Sequence, residues 1–200
     1  MADGAPVLLL DVMGTLVHDP FFVEVPAFFG CDLQALVVRK HPSAWEQFER
    51  GEIDEPELAS MFFADGRTLD VAGLKAAMQA AYRFLPGIEA LLQELVAAQV
   101  PMHVLSNYPH WYRLIEERLA LSRYVPWTFV SCETGVRKPE PAAYAGAAAT
   151  LGVDVGACVF VDDRRVNCEA ARQLGMRAVH FRDAATLRHA LTEHGVRLPT

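Results

Sequence analysis

The stretch Leu8-Leu9-Leu10-Asp11-Val12-Met13-Gly14-Thr15-Leu16-Val17 runs apolar side chains straight into a carboxylate and then into a Gly-Thr turn. A strand covered on both faces of a parallel sheet needs no polar alternation, and Val7 to Leu10 fits that description. Ligands of open α/β sheets gather beyond the carboxyl ends of such strands, which is where Asp11 stands. A lone Asp after a strand is most simply a turn or cap residue. It becomes a candidate for chemistry when other strands bring functional groups to the same edge.

From Ile88 onward the apolar period alternates between the two regular structures. Helices are expected at about 88–98, 110–120, 141–151 and 166–174, with a last one from Ala184 to His194. Strands are expected at Met102–Leu105, Trp127–Val130, Cys158–Val161 and Ala178–Phe181. Strands alternating with helices predict an α/β fold, a doubly wound and mostly parallel Rossmann-like sheet. Between about Phe21 and Phe84 the signals are helical only. Ser43 with Glu46 has capping-box spacing, Asp54 with Pro56 and Glu57 marks a second helix start, and Asp70 opens a helix reaching about Phe84. This predicts a small all-helical cap, residues 18–84, inserted after the first strand of a core made of 1–17 and 85–200. Trp45, Phe48, Phe62, Phe63 and Tyr82 are read as the cap's own small core and its inward face.

Two hundred residues suffice to bury a substantial interior. The formal net charge is -7, with three Lys against fifteen Arg, which argues against nucleic acid or an anionic membrane as a partner. Cys31, Cys132, Cys158 and Cys168 show no CxxC spacing and read as reduced thiols. Met1 to Pro6 carries no basic region, and the following apolar run is too short for a signal or membrane segment, so a cytoplasmic location is expected.

Three more segments carry chemistry. Leu105-Ser106-Asn107 places a hydroxyl and following N–H groups at a strand end, and such groups bind anions. In Arg137-Lys138-Pro139-Glu140-Pro141 a Lys immediately precedes a Pro-started helix, so its ammonium and the helix N-terminus could face one anion. The strand Cys158–Val161 runs into Asp162-Asp163, and adjacent carboxylates there are costly without a cation. Magnesium takes such oxygen ligands, usually with substrate phosphate and water. Taken singly, these features have plainer readings as a turn, a solvated Lys and a helix N-cap.

Taken together, Asp11-x-Met13-Gly14-Thr15-Leu16, Ser106-Asn107, Lys138-Pro139 and Asp162-Asp163-x-x-x-Asn167 resemble, in order and over essentially the whole chain, the haloacid dehalogenase superfamily. That resemblance implies a phosphatase-like hydrolase in which Asp11 attacks a phosphoryl group and the aspartyl-phosphate is then hydrolysed by water. It implies that Ser106 and Lys138 hold the phosphoryl oxygens, with Thr15 and Asn107 among the motif residues of the site. Magnesium would be bound by Asp11, by the main-chain carbonyl of Met13 and by the acids of the last motif. Asp163 would be the direct ligand and Asp162 the partner of Lys138. The implied partner is a small phosphorylated metabolite, and the expected assembly is a monomer or dimer.

One residue departs from the family pattern. Phosphatases of the superfamily carry a second Asp two residues after the nucleophile, where this chain has Met13. A thioether has no proton to give, so the general acid-base contribution, typically ~10²- to 10⁴-fold, is missing from that position. Three readings follow: a magnesium-dependent phosphatase restricted to good leaving groups, a dehalogenase- or phosphonatase-like hydrolase, or a degenerate phosphate- or protein-binding module. His18, Asp19 and Pro20 follow the first motif closely, and His18 is the candidate replacement acid, although a linker His is the simpler reading. Arg39, Lys40 and Arg67 could reach an anionic end of the substrate but read most simply as solvated charges. Tyr108, Trp111 and Tyr112 are candidates for a pocket wall.

Overall fold

The computed structural model describes residues 5–198. Five strands, β1 (Val7–Leu10), β2 (Met102–Ser106), β3 (Phe129–Val130), β4 (Cys158–Asp162) and β5 (Arg177–His180), form one sheet in the order β3-β2-β1-β4-β5. Every neighbouring pair is parallel. β1 is central, with Leu9 opposite both His103 and Phe160. Successive side chains of a strand point to opposite faces, so the leucines of β1 divide. Leu8 and Leu10 join Val104, Val159 and Val161 on one face, while Leu9 joins Phe160 and Tyr144 on the other. Both faces are covered, which is why the strand sequences show no polar alternation.

The first face is covered by α6 (Ile88–Ala97), α7 (Tyr112–Leu119) and α11 (Ala184–Glu193), through residues such as Leu92, Ile115 and Leu191. The second is covered by α9 (Pro141–Leu151) and α10 (Arg165–Gln173), through Tyr144, Ala147 and Ala171. A short helix, α8 (Ser131–Thr134), follows β3 directly. The expected strand at 127–130 therefore shrinks to its last two residues. Trp127 instead stacks on Tyr112 and donates its indole N–H to Glu116 at 2.9 Å.

Between β1 and α6 the chain is helical: a 3-10 turn (Pro20–Phe22), then α1 (Glu24–Phe28), α2 (Leu33–Arg39), α3 (Ala44–Glu49), α4 (Glu55–Met61) and α5 (Val71–Ala81). Asp54 and Glu57 form a reciprocal capping box, and Asp70 caps α5 by accepting from the Gly73 N–H at 2.9 Å. The expected box at Ser43 and Glu46 does not form. The Ser43 side chain makes no cap bond, and its main-chain N–H donates to His41 Nδ1 instead. α5 stops at Ala81 rather than near Phe84, because residues 82–85 run extended beside 16–18. There His18 N–H donates to Arg83 C=O at 2.9 Å and Leu85 N–H to Leu16 C=O at 3.0 Å. The two ends of the helical stretch are thus held side by side.

The aromatic residues of the helical stretch do not form an apolar core separate from that of the sheet. Phe48, Phe62 and Tyr82 belong to an apolar cluster continuous with the sheet face of Leu8 and Leu10. Trp45 and Phe48 pack edge to face on the fully buried Trp111 of the core. No helix among the described residues is long and apolar enough to cross a membrane.

Candidate active site

Four strand ends and their following loops converge on Asp11. Thr15, four residues on, donates its hydroxyl to Asp11 Oδ2 at 3.0 Å and accepts the main-chain N–H of Asp163 at 3.1 Å. One buried hydroxyl thereby ties the end of β1 to the end of β4. Ser106, at the end of β2, lies 3.4 Å from Asp11 Oδ1. Lys138 is 2 % exposed, and its Nζ sits 2.7 Å from both Asp11 Oδ1 and Asp162 Oδ2. An unpaired ammonium at that depth would be prohibitively costly, so the pairing is a condition of its burial.

Asn107 holds the main chain of Lys138 with its side-chain amide. Its Nδ2 donates to the Lys138 carbonyl at 2.7 Å and its Oδ1 accepts the Lys138 N–H at 2.8 Å, which fixes the main chain that carries the ammonium. The Lys138-Pro139 peptide in this loop is cis.

The two adjacent acids have different surroundings. Asp162 is fully buried and both its oxygens are engaged: Oδ1 accepts from the Arg164 N–H and the Asn167 amide, Oδ2 from Lys138 and the same amide. The Asp163 carboxylate makes no hydrogen bond among the described residues, while its main-chain carbonyl lies 2.8 Å from His180 Nε2. It lies against Gly14, whose φ is +75°; a Cβ there would come within 2.7 Å of Asp163 Oδ2. Glycine is therefore required twice, for a left-handed backbone and for the close approach.

Three carboxylates, those of Asp11, Asp162 and Asp163, share one ammonium, and an oxygen of each lies within 4.8 Å of the others. Burial pushes the Asp11 carboxyl up to about 7; Lys138 pulls it down, while Asp162 and Asp163 raise it. Burial also raises Asp163, with Asp162 adding to it. For Lys138, burial works against the charged form, but Asp11 and Asp162 outweigh it and hold the ammonium above its ordinary range. A cluster short of positive charge and rich in carboxylate oxygen is the donor set a hard divalent cation takes.

The carboxylates open into a cavity of about 430 Å³. Met13, Asn107, Lys138 and Arg164 line it near the carboxylates, and the rest of its wall mixes apolar and aromatic side chains, among them Phe21, Phe22, Phe62 and Met78, with the charged groups of Asp19, Lys40, Glu49 and Arg137. Tyr108 lines it too and donates or accepts a 2.6 Å bond with the Tyr82 hydroxyl. The haloacid dehalogenase-like hydrolase family matches this chain over residues 6–175.

The chain belongs to that family of hydrolases.

Across 191 residues, the hydrolase is 47% identical to flavin mononucleotide hydrolase 1 of Arabidopsis thaliana, a match covering 96% of this chain and 78% of that protein. It is 29% identical over 149 residues to the sesquiterpene phosphatase astK of Aspergillus oryzae, covering 70% of this chain and 73% of the relative. Its fold is that of a family enzyme from Bacteroides thetaiotaomicron solved with magnesium and inorganic phosphate. The TM-score is 0.73 at 22% identity, covering 92% of this chain and 99% of the other.

Several residues of the hydrolase's cavity escaped the sequence. Glu49, at the end of α3, is buried, and Arg137, beside Lys138, donates to it at 2.7 Å. Burial raises the Glu49 carboxyl against the pull of Arg137. Nothing in the local pattern of α3 marks that residue. Phe21 and Phe22 line the cavity as well, although the sequence marked Phe21 only as the start of the helical stretch. His18 does not line the cavity: its Nε2 lies 2.9 Å from both carboxylate oxygens of Glu24, in keeping with the simpler reading of a linker His, and the next residue, Asp19, lines the cavity. Lys40 also lines the cavity, whereas Arg67 lies over Phe63 and pairs with Asp65.

Proposed function

We propose that this hydrolase cleaves phosphate monoesters whose leaving group carries a bulky, largely apolar or aromatic body, flavin mononucleotide being the first candidate. The observation that carries the reading is the placement of Lys138 Nζ between Asp11 and Asp162 at the floor of a cavity with aromatic upper walls. Phosphoryl transfer requires positioning and charge stabilisation more than covalent work, and the floor supplies both. Asp11 is the nucleophile. Ser106 and Lys138 hold phosphoryl oxygens, Asn107 fixes Lys138, and Thr15 sets the direction of the Asp11 carboxylate.

Magnesium would be held by Asp11, the Met13 carbonyl and Asp163, with Asp162 committed to Lys138; when bound it supplies charge neutralisation at the phosphoryl oxygens. The shortage of positive charge around the three carboxylates supports that assignment, and weighs against carbon–halogen cleavage as the reaction. The apolar walls match the aromatic body of a flavin, and the 47% identical relative is named for that substrate. Four unbridged cysteines are in keeping with a reduced, cytoplasmic setting.

The test is turnover of purified protein with and without magnesium on flavin mononucleotide, para-nitrophenyl phosphate and a simple primary alkyl phosphate. Magnesium-dependent release of phosphate, abolished by Asp11→Asn, is expected. Activity that survives Asp11→Asn would overturn the assignment of the nucleophile, and failure on all three esters would overturn the phosphatase reading.

A further inference from the structure

An alkyl phosphate poses a problem that Met13 cannot solve. Its departing alkoxide is strongly basic and must be protonated as the P–O bond breaks, and a thioether carries no proton. Any donor has to stand where the carboxylate floor meets the chamber for the leaving group. In-line displacement puts the leaving oxygen on the side of the phosphorus opposite Asp11.

Beyond the carboxylates clustered at Asp11, two carboxyls line the cavity, Glu49, which is paired with Arg137, and Asp19. Asp19 lines the cavity together with Asp11, Met13 and Asp163, and the chain continues from it through Pro20 into Phe21 and Phe22 of the apolar wall. Its Oδ1 accepts the Phe21 N–H at 2.9 Å, which fixes the side chain as the N-cap of the Pro20–Phe22 turn. Its Oδ2 makes no hydrogen bond among the described residues. His18, the neighbour that could have neutralised it, is turned away to Glu24.

We propose that Asp19 is the general acid and base of this hydrolase, standing in for the carboxyl absent at position 13; the assignment rests on the phosphatase reading given above. In the first step an Asp11 oxygen bonds to phosphorus while the bond from phosphorus to the leaving oxygen breaks. The electron pair goes to that oxygen, and the proton on Asp19 Oδ2 follows it, releasing the neutral alcohol. In the second step the Asp19 carboxylate takes a proton from water as the water oxygen bonds to phosphorus and the bond to Asp11 breaks. Inorganic phosphate leaves, and Asp11 and Asp19 return to their starting states. Burial favours the protonated form of Asp19 at the outset; His18 and the Phe21 N–H oppose it, and Glu24 adds to it. From other elements, Asp163, Tyr82 and Tyr108 feel its charge.

Asp19→Asn keeps the oxygen that caps Phe21 and removes the proton, and Asp19→Ser provides a second capping side chain without a useful acid. Both variants are compared with the wild type by kcat/KM, which reports the step that expels the leaving group. Expected is a loss of ~10²- to 10⁴-fold on the primary alkyl phosphate and less than ~10-fold on para-nitrophenyl phosphate, whose leaving group needs no proton. A burst of nitrophenolate should also appear in the variants, because water attack on the phosphorylated Asp11 then lacks its base. Equal losses on both esters, or no loss on either, would overturn the assignment of Asp19 while leaving the phosphatase reading intact. So would a wild type active on the aryl ester alone. A wild type inactive on both esters and on flavin mononucleotide overturns the phosphatase reading and this assignment with it.

Discussion

Asp11 carries two opposed demands. In the proposed role of nucleophile it must be ionised, yet burial, with two other carboxylates beside it, favours its neutral form and pushes it up to about 7, from 3.8 for a free side chain. The folded value lies above the unfolded one. Its contribution to stability is therefore complete in acid below about 4 and is lost as pH rises through about 7. Asn at this position is neutral at every pH. In metal-free buffer, the stability of Asp11→Asn relative to the wild type should therefore rise from pH 5 to pH 8, by roughly 1–3 kcal/mol in urea unfolding. A difference independent of pH would mean that Lys138 keeps Asp11 ionised throughout. At this scale the sequence marked Asp11 and the acid pair, because each stands at the end of a strand, and Lys138, because it precedes a Pro-started helix. It could not tell that the Asn107 amide serves the Lys138 backbone 31 residues away, since no local period records such a pairing.

Among elements, the contact that matters most is between α3 of the cap and the loops after β2 and β3. Ser131, at the start of α8, donates its hydroxyl to the Glu49 carbonyl at 2.5 Å and accepts the Tyr108 N–H at 3.0 Å. Arg50 reaches from the cap to Glu140, and Arg137 from the core to Glu49 and Glu46. The partners of Ser131 are buried, so Ser131→Ala should cost ~1–3 kcal/mol in denaturant unfolding, by leaving the Glu49 carbonyl and the Tyr108 N–H without partners. A change below about 0.5 kcal/mol would mean that water replaces the hydroxyl. The helical character of the cap was legible in its N-cap residues, Asp54 and Asp70 above all. Its union with the core was not, because the aromatic spacing of Trp45 and Phe48 says that a face is apolar and not that Trp111 is what it meets.

For the whole molecule, folding assembles the charge imbalance at the site, and any cation bound there should stabilise the native state by mass action. Magnesium at 100 times its dissociation constant corresponds to ~2.7 kcal/mol. For a chain of this size that is a rise in melting temperature of about 5–10 °C. Asp163→Asn should abolish most of the rise, and an undiminished rise in that variant would place the cation elsewhere. By itself the sequence determined the alternating α/β order, the parallel sheet and the strand ends at which the reactive groups stand, because hydrophobic period, Gly and Pro placement and capping chemistry are local. Only the tertiary structure decided that Asp162 is saturated while Asp163 is open, that His18 turns out to Glu24 while Asp19 turns into the cavity, and that Glu49 is buried against Arg137. Those outcomes depend on which lone pairs and donors meet across distant segments, and hydrogen-bond capacity is satisfied in three dimensions rather than along the chain.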